Sequence, residues 1–479
     1  MARYLTTTLP YVNGNLHVGH ALEFVQADTL ARTWRSKKED VFFNTGTDEH
    51  GQKIFQAAEK EGKDVHAYID HYAADVKNIT TALDLSIDGF IRTSEPRHYE
   101  AAQEMWKRCL AAGDIYKKSY TGLYCVGCEA YKTEKEIVDG KCPLHPSLTP
   151  QEITEENYFF RFSKYQDQLL AYLGRPDAIV PEWRRQEAIE FVKGGLEDFS
   201  ISRDKARLSW GVPVPGDDSQ VMYVWFDALT SYISTLGWPN DAQGQFKKFW
   251  ENGTTLQMAG KDQVRFQSLM WQAMLMSAAV KNTDQVFYHG FINSGGQRMS
   301  KSLGNVISPY ELVEKYGTDA TRYLLLRHVH PVDDSDMTWE RLDEWYTANL
   351  TNGLGNLVAR VMTLAEANLG APVTLAREDE VMETAFSSKI EAFAFNEAMD
   401  LIFEHVAKGD LYMTEQAPYK KIKSESESDR EEARRVIEKL VRHLAKLAAH
   451  LAPTMPHTSG VILEAVRNNK KPENLFPRI

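Results

Sequence analysis

The amino-terminal run RYLTTTL (3–9) is threonine-rich and β-compatible, breaks at PYVNGN, and passes into an apolar-periodic stretch that predicts a helix from about His17 to Trp34. DVFFNTG (40–46) then predicts a second short strand and a loop. Strand, helix and strand at this spacing imply a parallel sheet, whose ligands bind outside the carboxyl ends of the strands. Both PYVNGNLHVGH and TGTDEHG would lie at that edge. From about residue 117 to 218 the pattern changes to cysteines, a short charged hairpin-like stretch and loops. Alternating α/β text resumes at VMYVWFDALTSYISTL, TLQMAGKDQVRFQSLMWQAMLMSA and QVFYHGFINSGG, so the middle block reads as an insertion splitting one nucleotide-binding fold into two halves.

After about Trp345 only helical periods remain. Leu350, Leu354, Leu357, Val358 and Val361 share one stripe, and Val436, Ile437, Leu440, Val441, Leu444, Leu447 and Leu451 share another. Ser428 with Glu431 has the spacing of a capping box ahead of the second stripe, and KSESESDREE (423–432) reads as a short polar loop. The carboxyl-terminal third is thus expected to be a helix bundle.

A chain of 479 residues with 43% hydrophobic content fills a core in each of about two to four domains. The net charge of −12 argues against a general polyanion binder, because non-specific nucleic-acid affinity comes from Lys and Arg neutralising phosphates; it leaves room for RNA held through a local patch. No apolar run approaches the ~18 residues of a membrane span, and MARYLTTTLPYVNG lacks the zones of a signal peptide, so a cytoplasmic location is expected.

Three of the four cysteines crowd together. Cys125, Cys128, Cys142 and His145 form two pairs, each with two residues between its members, which suits tetrahedral zinc. A redox Cys-x-x-C is the rival reading, but it leaves the second pair without a role. In HVGH, His17 and His20 stand three apart at a helix start, where both imidazoles would face phosphate near the positive end of the helix dipole. Gly14 and Gly19 would let a base or phosphate approach the backbone, although the motif alone is equally compatible with a plain helix turn. Arg298 and Lys301, in the glycine-bounded loop GGQRMSKSLGN, can close over a ligand and place positive charge where pyrophosphate departs; alone, the loop also reads as a solvated basic turn.

Taken together, HVGH and RMSKS resemble the two signature sequences of the class I aminoacyl-tRNA synthetases, with Val and Arg standing for the pattern's Ile and Lys. The segments TLPYVNGNLHVGH, TGTDEHG, YVWFDALTSY, GKD and GLGNLVARV are similar to those of the methionine-specific members, over nearly the whole chain. The resemblance implies an α/β, Rossmann-type parallel sheet split by a zinc-containing connective insertion and followed by an all-α helix bundle. Its divisions here would be residues 1–116 and 219–344 for the two catalytic halves, the second including the RMSKS loop and stem-contact region. Residues 117–218 would form the insertion and 345–479 an anticodon-binding domain. It implies ATP-dependent activation of L-methionine to methionyl-adenylate and transfer to the 3′ end of tRNA(Met), for initiation and elongation.

By the same resemblance, His17, His20, Lys301 and Arg298 are catalytic, and Gly19, Gly260, Asp262 and Lys301 contact ATP. Leu9, Tyr11, Trp225, Ala228, Tyr232 and Gln267 line the methionine pocket, with Asp48 on the ammonium group. Asn356, Arg360 and Tyr419 read the anticodon, with tyrosine where tryptophan is usual. One structural zinc per chain is implied, ATP comes with Mg2+ as substrate, and a monomer is expected. Gln267 stands where the family pattern has histidine and Gln263 where it has an aliphatic residue. Two rival readings stand beside this one: a class I synthetase for leucine, isoleucine, valine or cysteine, and a non-catalytic zinc-containing RNA-binding protein.

Overall fold

The computed structural model describes residues 1–128, 130–132, 136–299 and 305–479. They form two compact units: Met1–Leu16, Glu39–Asn78 and Ile87–His289 in one, and His17–Lys38, Ile79–Ser86 and Gly290–Ile479 in the other.

The first unit is built on six parallel strands: β1 (Ala2–Thr7), β2 (Asp40–Thr47), β3 (Gly89–Arg92), β4 (Ile179–Val180), β5 (Thr254–Gly260) and β6 (Gln285–His289). Their order across the sheet is β3-β2-β1-β5-β6-β4, so the chain runs outward from β1 in one direction and later resumes from β5 in the other. The strand order reverses between β1 and β5, and at such a switch point the carboxyl-end loops part to leave a crevice. Aromatic rings hold the core together: Tyr4 lies against Phe42 and Trp250, Trp250 against Trp271, and Trp271 against Tyr232.

The cysteine-bearing block follows β3 and the helix α1 (Pro96–Ala111). It is carried by a long antiparallel pair, Ile115–Cys125 with Gln151–Phe160, whose register places Cys125 at its far end. The block is not wholly separate from the sheet, because β4 comes from within it and pairs with β6. A two-residue strand carries too little periodicity to be read from sequence.

In the second unit, the helix predicted from about His17 spans Val18–Ser36. Its buried Asp28 accepts from Arg322 Nη2 at 2.7 Å, Arg32 Nε at 2.7 Å and Ser86 N at 2.7 Å. Burial alone would raise the Asp28 carboxyl, but the two guanidiniums hold it below the usual carboxylate range. The carbonyls of Thr454, Leu83 and Pro453 accept from Arg322 Nε, Nη1 and Nη2, so every nitrogen of the buried guanidinium is hydrogen-bonded.

The expected helix bundle is present in this unit. A π-helical segment, Tyr346–Gly355, runs into Asn356–Asn368, and Leu350, Leu354, Leu357, Val358 and Val361 are all buried along it. The helix Glu427–Leu451 packs against Asn356–Asn368, Phe395–Gln416 and Pro456–Asn468 through its predicted stripe. The expected cap is displaced. Ser426, not Ser428, caps the helix, accepting from Asp429 N at 3.4 Å, and most of KSESESDREE is helical rather than loop. Ser424 sets this register: its hydroxyl donates to the Asp429 carboxylate at 2.6 Å and its carbonyl accepts from Arg430, anchoring the first turn two residues early. No helix among the described residues is long and apolar enough to cross a membrane.

Candidate active site and metal centre

The loops that follow β1 and β2 are laced together at the carboxyl edge of the sheet. Tyr11 and Asp48 form a parallel bridge, Asp48 N donates to Pro10 O at 3.0 Å, and Val12 N donates to Asp48 O at 3.1 Å. Thr8 N donates to Met258 O at 3.0 Å, which ties the same loop to β5 across the switch point. Asp48 is only 6% exposed, and Leu9, beside Pro10, is buried. A carboxylate in such a place favours a cation that it can pair with out of water.

The facing wall comes from two segments on the far side of the insertion. The short helix α2 (Val224–Ala228) carries Trp225 and Ala228, and Tyr232 follows it one turn later. The Trp225 ring stacks on Phe266, with centroids 3.9 Å apart and planes within 12°. Tyr232 is fixed from behind, its carbonyl accepting from Tyr4 Oη at 2.7 Å. Gln267 Nε2 donates to Tyr232 Oη at 2.8 Å and to Thr8 Oγ1 at 3.2 Å, while Gln267 Oε1 is buried without a protein partner. Gly260 closes β5, and Asp262 in the next turn accepts from Gln263 Nε2 at 3.2 Å, so Gln263 turns toward Asp262. Phe266 and Thr8 were not singled out from the sequence. Thr8 lies inside TLPYVNG and Phe266 beside Gln267, and only the tertiary contacts mark them.

Within the second unit, HVGH forms a reciprocal cap. His17 Nδ1 accepts from Gly19 N at 3.1 Å, His20 Nδ1 accepts from His17 N at 3.2 Å, and the rings lie 4.0 Å apart. A ring whose Nδ1 accepts a backbone N–H carries its proton on Nε2 when neutral. A side chain at position 19 would collide with the His17 ring at 2.9 Å, so glycine is required there for a local reason. Arg298 lies on a short strand with its guanidinium over the Phe291 ring at 4.8 Å. Lys301 lies outside the described residues.

At the end of the hairpin, Cys125, Cys128, Cys142 and His145 bring their ligand atoms within 4.8 Å of one another. Cys128 Sγ lies 3.5 Å from Cys142 Sγ and 3.3 Å from His145 Nδ1, and Cys125 Sγ lies 3.9 Å from His145 Nδ1. Tetrahedral zinc with bonds of about 2.3 Å to sulfur separates its ligands by roughly 3.8 Å, so these residues fit the ion. Gly127 allows the fit, since a Cβ there would meet the His145 ring at 2.4 Å. Lys53 Nζ donates to Gly127 O at 2.9 Å, so the knuckle is anchored to the helix after TGTDEHG.

Comparison with known proteins resolves what these parts belong to. A family model described as "tRNA synthetases class I (M)" matches residues 3–152 and 146–362. The methionine--tRNA ligase of Mesorhizobium japonicum is 43% identical over 439 residues, spanning 88% of this chain and 84% of its own. That of Rhizobium meliloti is 41% identical over 478 residues, spanning 97% and 91%. The chain belongs to the class I methionyl-tRNA synthetases. A solved structure of Mycobacterium tuberculosis methionyl-tRNA synthetase in complex with methionyl-adenylate matches 97% of this chain and 93% of that one, at a TM-score of 0.89 and 38% identity.

In the helical region of the second unit, Asn356 opens its helix and Arg360, one turn on, donates from Nη1 to Asp410 Oδ1 at 2.8 Å. Tyr419 sits in the short helix Pro418–Lys421, with more than a third of its surface exposed. Asp410, as partner of Arg360, was not legible in the sequence, because it lies on another helix fifty residues away. Cys109, the fourth cysteine, is buried in α1, and burial pushes its thiol up to about 12, which leaves it inert.

Proposed function

We propose that this chain joins L-methionine to ATP, forming methionyl-adenylate and releasing pyrophosphate, and then transfers the methionyl group to the 3′ end of tRNA(Met). The observation that carries the reading is the likeness, over nearly the full length, to a synthetase solved with methionyl-adenylate. Asp48 pairs the α-ammonium group, and the stacked Trp225 and Phe266 faces hold the thioether. Leu9, Tyr11 and Ala228 close the pocket. Turning the Gln267 carboxamide by half a turn lets the Thr8 and Tyr232 hydroxyls donate to its oxygen and presents its N–H to the methionine sulfur. Gly260 and Asp262 contact the ribose.

The methionine carboxylate is already ionised, so its attack on the α-phosphorus needs no protein base. A bond forms from carboxylate oxygen to phosphorus, and the bond to the bridging oxygen breaks. The protein orients the two reactants and stabilises the charge that moves onto pyrophosphate. His17 and His20 donate to phosphate from their outer nitrogens, Gly19 allows close approach, and Arg298 and Lys301 act on the β,γ-phosphates. Mg2+ accompanies ATP and neutralises part of its charge. Cys125, Cys128, Cys142 and His145 would hold a structural zinc that fixes the knuckle, and four protein ligands would leave it no open position for substrate. Asn356, Arg360 and Tyr419 receive the anticodon, Tyr419 by stacking a single-stranded base.

Amino-acid-dependent ATP–pyrophosphate exchange tests the activity without tRNA. With methionine, leucine, isoleucine, valine, cysteine and homocysteine offered separately, exchange is expected with methionine, and with homocysteine as a poor second. One methyl group in an apolar pocket discriminates by about 1–3 kcal/mol. Exchange driven better by any other amino acid than by methionine, or by none in zinc-loaded protein, overturns the reading. For the metal, the purified protein is expected to carry about one zinc per chain by elemental mass spectrometry, and Cys142→Ala to lose it. Full zinc retention in that variant rules the knuckle out as the site.

A further inference from the structure

Three ionisable side chains lie buried together in the first unit, and none has a part in the chemistry above. Asp227 Oδ2 is 2.6 Å from His50 Nδ1, and Asp227 Oδ1 is 2.5 Å from His98 Nε2. All three side chains are at most 1% exposed. The outer ring nitrogens meet hydroxyls, His50 Nε2 facing Tyr99 Oη at 3.0 Å and His98 Nδ1 facing Ser234 Oγ at 3.0 Å. Each ring can donate one N–H to the carboxylate while its outer nitrogen meets a hydroxyl, so the ring nitrogens and both carboxylate oxygens of the cluster are all paired. Burial alone would raise the Asp227 carboxyl, but the two imidazoles hold it down at about 2, so it stays ionised throughout the working range of pH.

The position of this cluster matters more than its stability. A satisfied polar network is not needed merely to hold a core, since apolar packing of similar volume serves as well, but it does define geometry. Asp227 lies on α2 two residues beyond Trp225 and one before Ala228. His50 lies two residues beyond Asp48. The residue between them, Glu49, is pinned as well: its carboxylate accepts from Thr47 Oγ1 at 2.6 Å, Arg92 Nε at 2.7 Å and Ser94 Oγ, and its carbonyl accepts from Trp210 Nε1 at 2.6 Å. The His50 ring is further held against Trp210, with centroids 5.1 Å apart. A strut made only of side chains thus joins the segment bearing the ammonium-binding carboxylate to the segment bearing the thioether wall, bridging 177 residues of sequence.

We propose that Asp227 is a positioning residue for amino-acid binding: through His50 it sets the separation of Asp48 from Trp225, and so the length of amino acid that the site accepts. The inference rests on the methionine-pocket reading given above. Asp227→Asn preserves shape but replaces one acceptor by an N–H2 that faces a ring N–H, and one imidazole must change tautomer or turn away.

In ATP–pyrophosphate exchange with the full chain, Asp227→Asn is expected to raise the KM for methionine about 10–100-fold, with KM for ATP and kcat within about threefold. Tyr99→Phe removes the hydroxyl behind His50 without touching Asp227; a methionine KM about 3–10-fold higher at unchanged melting temperature is expected. It keeps the test decisive should the asparagine variant fold poorly. Imidazole nitrogen NMR should show His50 protonated on Nδ1 in the native protein and altered in Asp227→Asn. A lower melting temperature with methionine KM unchanged in both variants, or an equal rise in both substrates' KM, makes the cluster purely structural and overturns the proposal. Asp48→Asn separates the two levels. If it leaves methionine KM unchanged, the pocket reading itself has failed; if it raises KM while the Asp227 and Tyr99 variants do not, only the strut has.

Discussion

Lys301→Ala is expected to slow methionyl-adenylate formation by about 10²–10³-fold, while the dissociation constant for methionine stays within about threefold. The asymmetry follows from where charge appears. Methionine binding involves an ammonium group, a carboxylate and a thioether, none of which needs a second cation beside the polyphosphate. As the α-phosphorus changes partners, negative charge accumulates on the departing β,γ-phosphates, and in the proposed role Lys301, in the glycine-bounded segment GGQRMSKSLGN, meets that charge in the transition state. Removing a donor whose interaction exists only in the transition state lowers kcat and kcat/KM together. Single-turnover formation of the adenylate, set beside equilibrium binding of methionine, measures both quantities. Equal loss in the two would mean that Lys301 supports the fold or the amino-acid site instead of the leaving group.

Asp48→Asn carries the second large effect, a rise of roughly 50–500-fold in the KM for methionine, equivalent to about 2.3–3.7 kcal/mol. The carboxylate is almost wholly buried and its backbone is bound on both sides, by Pro10 and Val12, so it cannot swing away and leave water to solvate the ligand's ammonium group. Asparagine keeps the shape and removes the charge. An analogue lacking the amino group makes the assignment specific: the native protein should bind it far more weakly than methionine, and the variant should scarcely distinguish the two. A variant that still discriminates as strongly as the native protein would place the ammonium group elsewhere.

Most of what is local in this protein was legible in the linear chain. The threonine-rich strand, the helix beginning at His17, the apolar stripes of the bundle and each of the two Cys/Cys and Cys/His pairs depend on residues within a few positions of one another. Spacing alone therefore specifies them. The capping role of HVGH is local too, but that the two Nδ1 atoms are spent on backbone donors and that Gly19 clears the His17 ring depends on the folded geometry of the turn. The cap of the long carboxyl-terminal helix was misplaced by two residues because two serines compete there, and the contacts of Ser424 with Asp429 and Arg430 decide between them.

The tertiary structure decided everything that depends on long-range partners. Spacing cannot reveal that Val180 completes the edge of the sheet beside Phe287, or that Phe266 lies under Trp225. Nor can it show that Gln267 is held between Thr8 and Tyr232, or that Asp227 joins His50 to His98. His50 and Asp227 lie inside segments that stand out in the sequence, TGTDEHG and YVWFDALTSY, yet nothing in either segment names the other as its partner. Hydrophobic periodicity records which face of an element is buried; it does not record what it is buried against. Which polar groups share a core is settled by strand order and by the requirement that each buried donor and acceptor find a mate, and both are properties of the folded chain.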